Sequence, residues 1–113
     1  MLFRSAVGYQ ALYNNQTGVS LTAVGYQAGY SATSGYLVAV GQKAGYSATS
    51  ANGVFVGYEA GLNTTTGADV VAIGLRALNT NTTGGYNVAV GRDALYSNTT
   101  ASNNTAVGYQ VLS

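Results

Sequence analysis

Small, β-branched and glycine positions recur along this chain with a short and regular period. The glycines that mark the repeat are Gly8, Gly25, Gly41, Gly57, Gly74, Gly91 and Gly108, so successive copies are sixteen or seventeen positions apart. The seven copies of the unit are Ala6-Val7-Gly8, Ala23-Val24-Gly25, Ala39-Val40-Gly41, Phe55-Val56-Gly57, Ala72-Ile73-Gly74, Ala89-Val90-Gly91 and Ala106-Val107-Gly108. Because this period is regular and too short for two helices, it is typical of a solenoid in which each repeat forms one coil.

Alignment on these glycines divides the chain into a lead-in, residues 1–4, and a single repeat domain, residues 5–113. The coils then span residues 5–21, 22–37, 38–53, 54–70, 71–87 and 88–104, followed by a half coil, 105–113. The sequence therefore predicts an all-β fold, a parallel β-solenoid or β-roll of about seven short coils. Each unit is expected to be one short strand of a continuous rod.

Alternation within each strand predicts which face is buried. The residue before each glycine is β-branched, and the residue three before it is Ser, Thr or Val, so the two share a face by period-two alternation. Burial of one such valine contributes about 1.5–3 kcal/mol. We therefore expect this face inside the coil, with a structural core of Val7, Val24, Val40, Val56, Ile73, Val90 and Val107.

The residue between these two positions is alanine in six units and Phe55 in the remaining one. By alternation it should point outward. Alanine is either simply tolerated there or required because another wall or subunit packs closely against it, and we favour the second interpretation. The alanine column is thus a candidate subunit interface.

The glycine that ends each strand is interpreted as a corner of the coil, where a residue without Cβ can take a positive φ. A phosphate-binding loop is the functional alternative, but no Gly-Lys-Ser/Thr signature follows these glycines. The predicted corner glycines are Gly8, Gly25, Gly41, Gly57, Gly74, Gly91 and Gly108.

Two residues after each glycine, charges alternate in sign in the middle of the chain, forming the ladder Lys43, Glu59, Arg76, Asp93. Opposite charges on adjacent strands contribute about 0.2–1 kcal/mol per pair, so the ladder is expected to support the register. A catalytic pair of Glu59 and Asp93 is the alternative. Two coils would separate these carboxylates by about 9.6 Å with Arg76 between them, which disfavours catalysis.

Tyrosines recur one residue after the glycine, at Tyr9, Tyr26, Tyr58 and Tyr109, and five residues after it, at Tyr13, Tyr30, Tyr46 and Tyr96. Stacked rings stabilise a solenoid by themselves, whereas exposed rings would offer a platform for sugars. Tyr9, Tyr26, Tyr58 and Tyr109 are therefore candidate ligand-stacking residues. Threonine-rich turns also raise an ice-binding hypothesis, although adjacent threonines such as Thr82-Thr83 point to opposite faces of a strand.

Composition removes several classes of function. The net charge is +1 and charged residues make up 6% of the chain, so there is no basic stripe for nucleic acid. Histidine and cysteine are absent, and with three carboxylates the usual parts for acid–base catalysis or a metal site are missing. We expect no enzyme activity and no cofactor. No apolar run approaches the roughly 18 residues of a membrane span, so no membrane insertion is expected.

The run AVGYQAL at residues 6–12, combined with the NTT turns, resembles the head repeats of YadA-like trimeric autotransporter adhesins. It is also similar to repeats of phage tail-fibre and tailspike-type proteins. The recurring Val-Ala-Val-Gly sequences at 38–41 and 88–91 carry the resemblance, which covers residues 5–113. It implies a left-handed β-roll that assembles as a homotrimer and is used for surface attachment.

The expected function is that of a structural fibre or adhesin module, a rod presenting polar surfaces to a host or other surface. Expected partners are further copies of the chain, as a homotrimer or an axial polymer, and a surface glycan or host protein. The resemblance implies an extracellular location, on a cell surface or a virion. A head-to-tail filament subunit and an ice-binding solenoid are the alternatives.

Overall fold

The computed structural model describes residues 3–49 and 52–113. Seven strands follow one another along the chain: β1 (Phe3–Val7), β2 (Ser20–Val24), β3 (Tyr36–Val40), β4 (Gly53–Val56), β5 (Val70–Ile73), β6 (Val88–Val90) and β7 (Thr105–Val107). They form one parallel sheet in sequence order, wound as a solenoid of about six turns, which confirms the predicted fold class. The described part of the chain contains no helix long and apolar enough to cross a membrane.

The predicted lead-in contains part of a strand, and both the lead-in and the third coil include residues that the structure does not describe. Strand β1 already begins at Phe3, within the stretch predicted as a lead-in. Residues 1–2 of that lead-in and residues 50–51 of the third coil lie outside the described residues.

Each strand pairs with the next in the register set by the glycines. Ala23 pairs with Ala39, Ala39 with Phe55, and Phe55 with Ala72. Equivalent residues of successive coils therefore stack directly, and every sequence column becomes a line of side chains along the rod. The Cα envelope measures 38 × 22 × 16 Å.

The two faces of the sheet are the reverse of the prediction. Strands β2 and β3 alternate exposed, buried, exposed, buried, exposed, and the buried positions include the alanines. The predicted core of Val7, Val24, Val40, Val56, Ile73, Val90 and Val107 is wrong, because Val24, Val40 and Ile73 are 37–41% exposed and Val7 and Val107 are 65–66% exposed. Val56 and Val90 are half-buried.

The alanine column forms the core instead, so its predicted role as an outward subunit contact is also wrong. Ala23, Ala39, Ala72 and Ala89 are fully buried, and Ala106 nearly so; Ala6 in the first coil is exposed. A second alanine column in the opposite wall is buried in the same cluster: Ala28, Ala44, Ala60, Ala77 and Ala94. Because two walls with buried alanines close one thin coil, the bulkier β-branched column is left on the outer side.

Larger side chains enter this interior only where space is left for them. Leu21, Leu37 and Val70, which lie two residues before the alanine column on the same strand face, are buried. Phe55 is fully buried as well, and a Cβ added to Gly45 would lie 2.9 Å from its Cδ2 atom. Glycine in the opposite wall thus makes room for the phenylalanine ring.

The seven predicted corner glycines take φ values of 127–134°, as the corner interpretation requires. They also lie close to the next coil. A Cβ on Gly41 would lie 2.6 Å from the carbonyl oxygen of Gly57, and a Cβ on Gly25 would lie 2.8 Å from the carbonyl carbon of Gly41. Glycine is therefore required here both for its conformation and for the close stacking of coils.

Candidate interaction surfaces

The outer side of the sheet carries a continuous apolar surface. We define the outer sheet face as two columns, the residue before each corner glycine and the residue three before it. Its central members are Val38, Val54, Val71 and Val88 beside Val40, Val56, Ile73 and Val90, all exposed or half-buried. A groove of about 780 Å³ runs along one of these columns, past Val38, Val54 and Val71, and is bordered by Tyr36 and by polar side chains such as Asn52 and Asp69. Water contacts a line of β-branched side chains here, which is unusual for a soluble surface.

Tyrosines five residues after the corner glycine form a stack along the rod. The ring centroids of Tyr13 and Tyr30 are 5.1 Å apart, and those of Tyr30 and Tyr46 are 4.9 Å apart, with ring planes within 10° of parallel. Burial among these rings raises the pKa of Tyr30 above its ordinary value. Because both faces of the middle ring are covered by its neighbours, a sugar cannot stack on it, and this column stabilises the coils.

The four candidate ligand-stacking tyrosines do not form one platform. Tyr9 and Tyr26 stack on each other with centroids 5.7 Å apart. Tyr58 lies two coils beyond Tyr26 in the same column, and the carboxylate of Glu59 beside it raises the pKa of the Tyr58 hydroxyl. Tyr109 is farther along the rod, with the guanidinium of Arg92 5.8 Å from its ring centroid.

The charge ladder is only partly paired. Arg76 Nε lies 3.0 Å from Asp93 Oδ1, and Arg76 Nη2 donates a hydrogen bond of 3.2 Å to Asp93 Oδ2. The hydrogen bond to Asp93 raises the pKa of Arg76. Over residues 3–49 and 52–113, the ion pairs join Asp93 to Arg76 and Arg92, and none joins Lys43 to Glu59. Lys43 Nζ instead lies 5.9 Å from the ring centroid of Tyr46.

This column has a backbone feature that the sequence did not reveal. Its seven residues, none of them glycine, all take φ values of 53–57°: Gln10, Gln27, Lys43, Glu59, Arg76, Asp93 and Gln110. Residues with positive, negative and neutral side chains therefore all adopt a left-handed backbone conformation at this position. The ladder continues as an amide pair in the first coils, where Gln27 Nε2 donates to Gln10 Oε1 at 2.8 Å.

A threonine ladder is a second feature that sequence reasoning missed. In each of the first five coils one threonine hydroxyl donates to the backbone carbonyl of the threonine in the next coil, at distances of 2.9–3.2 Å. The residues are Thr17, Thr33, Thr49, Thr65, Thr82 and Thr99. From the second coil onward each lies eight residues after its corner glycine, and this constant offset was the available signal.

Buried asparagines form a third ladder in the C-terminal coils. Asn81 Nδ2 donates to the carbonyl of Gly84 at 3.0 Å, and Asn81 Oδ1 accepts from Asn98 Nδ2 at 2.8 Å. Asn87 Oδ1 accepts from the backbone N–H of Asn104 at 2.9 Å. Asn81 and Asn87 are fully buried, so their amides bind adjacent coils together within the interior.

Comparison with known proteins gives no match for this chain, whether against protein-family models, curated proteins or solved structures.

Proposed function

We propose that this chain is a structural fibre or adhesin module. In this proposal copies of the rod associate side by side through their outer sheet faces, as a homotrimer. The polar side chains on the remaining surface then face a host protein or a surface glycan. The absence of histidine and cysteine from the sequence supports a non-enzymatic role. The extracellular, cell-surface or virion location is part of the proposal.

The observation that carries the proposal is the exposure of the outer sheet face. Val38, Val40 and Ile73, near the middle of the rod, are each more than a third exposed, although they are among its most apolar residues. An exposed apolar patch of this kind is typical of a protein interface.

A second copy of the chain is the partner that this surface fits best. The valines of successive coils are spaced by the strand separation, about 4.8 Å. Another copy presents ridges with the same spacing, so the two surfaces can interdigitate along the whole rod. In a closed, symmetric oligomer the outer sheet face of every copy would be covered in the same way. The number three comes from the resemblance to trimeric adhesin heads.

The test is the mass in solution of the parent chain and of a Val40→Asp, Ile73→Asp double variant. Since both side chains are on the outside, the variant should keep the circular dichroism spectrum of the parent. A carboxylate in each copy of an apolar interface should dissociate the oligomer. Thr66→Asp, in an exposed turn, is the matched control and should leave the mass unchanged.

Sedimentation equilibrium separates the outcomes. A parent mass of three chains that falls to one chain in the double variant supports the proposal. A monomeric parent contradicts it, and a mass that rises continuously with concentration would favour the axial filament.

The threonine ladder favours ice binding as a second candidate function. One threonine per coil is stacked along the rod, an arrangement that the adjacent threonines of the sequence had obscured. Thermal hysteresis of the parent chain that disappears in a Thr49→Tyr, Thr82→Tyr variant would support it. No hysteresis in the parent would rule it out.

A further inference from the structure

The column of residues that follows the corner glycines is in strict register. The backbone N–H of Lys43 donates to the carbonyl of Tyr26 at 2.9 Å, and that of Glu59 donates to the carbonyl of Gln42 at 2.9 Å. Tyr26, Gln42 and Tyr58 therefore follow one another directly along the rod. The third coil carries an amide at a position where the coils on both sides carry an aromatic ring.

This substitution leaves a space of defined size between two tyrosines. Tyr26 and Tyr58 are separated by two strand spacings, about 9.6 Å. One face of Tyr26 is stacked on Tyr9, and its other face points towards the third coil. A ring placed midway would lie about 4.8 Å from each tyrosine, within the range of about 4.5–7 Å in which rings stack. The side chain of Gln42 is exposed, so it can turn away from this space.

We propose that Tyr26 and Tyr58 bind one pyranose ring between them, in the space left by Gln42. The inference rests on the proposed attachment function and assigns its ligand class. Both tyrosines are 44% exposed, so a ring can enter from solvent. The bound ring occupies the place that a third-coil tyrosine would take in the column.

Polar groups around the space favour a sugar over an aromatic ligand. The amide of Gln42, at the same position of the intervening coil, can hydrogen-bond to hydroxyls at the edge of the ring. The carboxylate of Glu59 lies beside the Tyr58 hydroxyl, so it can accept a hydrogen bond from a sugar hydroxyl at the edge of the ring. Two flat walls require C–H groups on both faces of the sugar. A gluco-configured pyranose with equatorial hydroxyls satisfies this, and an axial hydroxyl would strike a tyrosine ring.

The experiment is an NMR titration of the parent chain with methyl β-glucoside, monitoring the ring protons of the tyrosines. Tyr26 and Tyr58 should shift together, and Tyr13 should not. Methyl β-galactoside, which carries one axial hydroxyl, should bind at least tenfold more weakly. Equal shifts with both sugars, or no shift with either, would overturn the proposal.

Variants of the chain test whether the sugar binds between the rings of Tyr26 and Tyr58 or elsewhere on the surface. Gln42→Tyr fills the space with a residue that the neighbouring coils accept and should abolish binding while the protein stays folded. Tyr58→Leu removes one wall and should weaken binding at least tenfold, and the fifth coil already carries Leu75 at this position. Tyr109→Leu, outside the space, should bind like the parent. Unchanged binding by Gln42→Tyr contradicts the proposal.

Sedimentation on the same samples distinguishes this failure from that of the proposed fibre. A trimer that binds neither sugar would refute the sugar site alone. A monomer that binds glucoside would refute the trimer alone.

Discussion

Coils two to four and coils five and six share the backbone of the strand and corner but have different interiors. In the second to fourth coils, the position four after the corner is Gly29, Gly45 or Gly61, and the interior is completed by Leu37 and Phe55 from the sheet. In the fifth and sixth coils, the same position is Leu78 or Leu95, and alanine faces it from the sheet. The larger side chain thus comes from the sheet beside the glycines and from the opposite wall in the leucine coils.

A second position also differs between these two groups of coils. Seven residues after the corner, the second and third coils carry Ala32 and Ala48, whereas the fifth and sixth carry Asn81 and Asn98. Each asparagine coil is one residue longer than an alanine coil, and its longer turn brings carbonyls that the amides bind. On the surface, stacked tyrosines in the early coils give way to the Arg76–Asp93 ion pair in the later ones.

These differences can coexist because each strand packs only against the strands before and after it. A change in one coil is therefore compensated within that coil or by an immediate neighbour. The rod needs a constant strand and corner in every coil, and it does not need one kind of interior.

The largest expected effect is that of Phe55→Ala, which empties the interior of the fourth coil. Loss of a fully buried phenylalanine costs about 3–5 kcal/mol. Urea unfolding followed by circular dichroism should show this loss. A change below about 1 kcal/mol would mean that the walls of the glycine coils can close on the cavity.

Gly61→Leu tests whether volume can be moved between the walls. Alone it should destabilise the protein by about 1–3 kcal/mol, because the added side chain meets Phe55. In the Phe55→Ala background it should instead stabilise, since Leu12, Leu78 and Leu95 show that leucine accepts φ of 50–53° at this position. Additive effects in the double-mutant cycle would contradict the compensation.

Asn81→Ala probes the polar interior of the later coils. It removes the partner of the Gly84 carbonyl and should cost about 1–3 kcal/mol. Thr83→Ala, at an exposed position of the same turn, is the matched control and should cost less. Equal losses from the two variants would show that the hydrogen bonds of Asn81 do not stabilise the coil.

Tyr30→Leu removes the middle ring of the stack in the early coils. Each aromatic pair contributes about 0.5–1.5 kcal/mol beyond its burial, and Tyr30 takes part in two. Tyr96→Leu, in the same column but outside the three-ring stack of the early coils, should have the smaller effect on the midpoint of thermal unfolding.

The smallest effect is expected from pH. The pKa of Tyr30 is raised in the folded chain, so the contribution of its neutral form is complete below the ordinary tyrosine pKa of about 10 and is lost as the pH rises above it. Thermal unfolding between pH 9 and 11.5 should show the parent losing more stability than Tyr30→Leu. Parallel curves would mean that the stack does not favour the neutral ring.

The sequence was sufficient to predict the coils and their register, because every turn needs a glycine at its corner. The glycine allows a positive φ there and lets the next coil approach closely. The faces of the strand do not follow from the sequence in the same way. Val40 and Ala39 are both apolar, and hydrophobicity alone predicts the larger one in the interior. Leu21 and Leu37, in step with the alanines, were the signal for the true inner face.

The site features that escaped prediction depend on geometry between coils. Nothing in the local sequence of Lys43 or Arg76 indicates a left-handed backbone, which comes from the turn that all coils share. The space at Gln42 is likewise visible only once Tyr26 and Tyr58 are stacked in one column.

Stacking each coil only on its neighbours also determines how the rod would respond to force. Tension along its axis acts on the hydrogen bonds between the last two coils, which can open without disturbing the others. One released coil extends from about 4.8 Å to about 60 Å of chain. A rod built in this way would lengthen in steps of one coil under load, so each coil is a separate reserve of length.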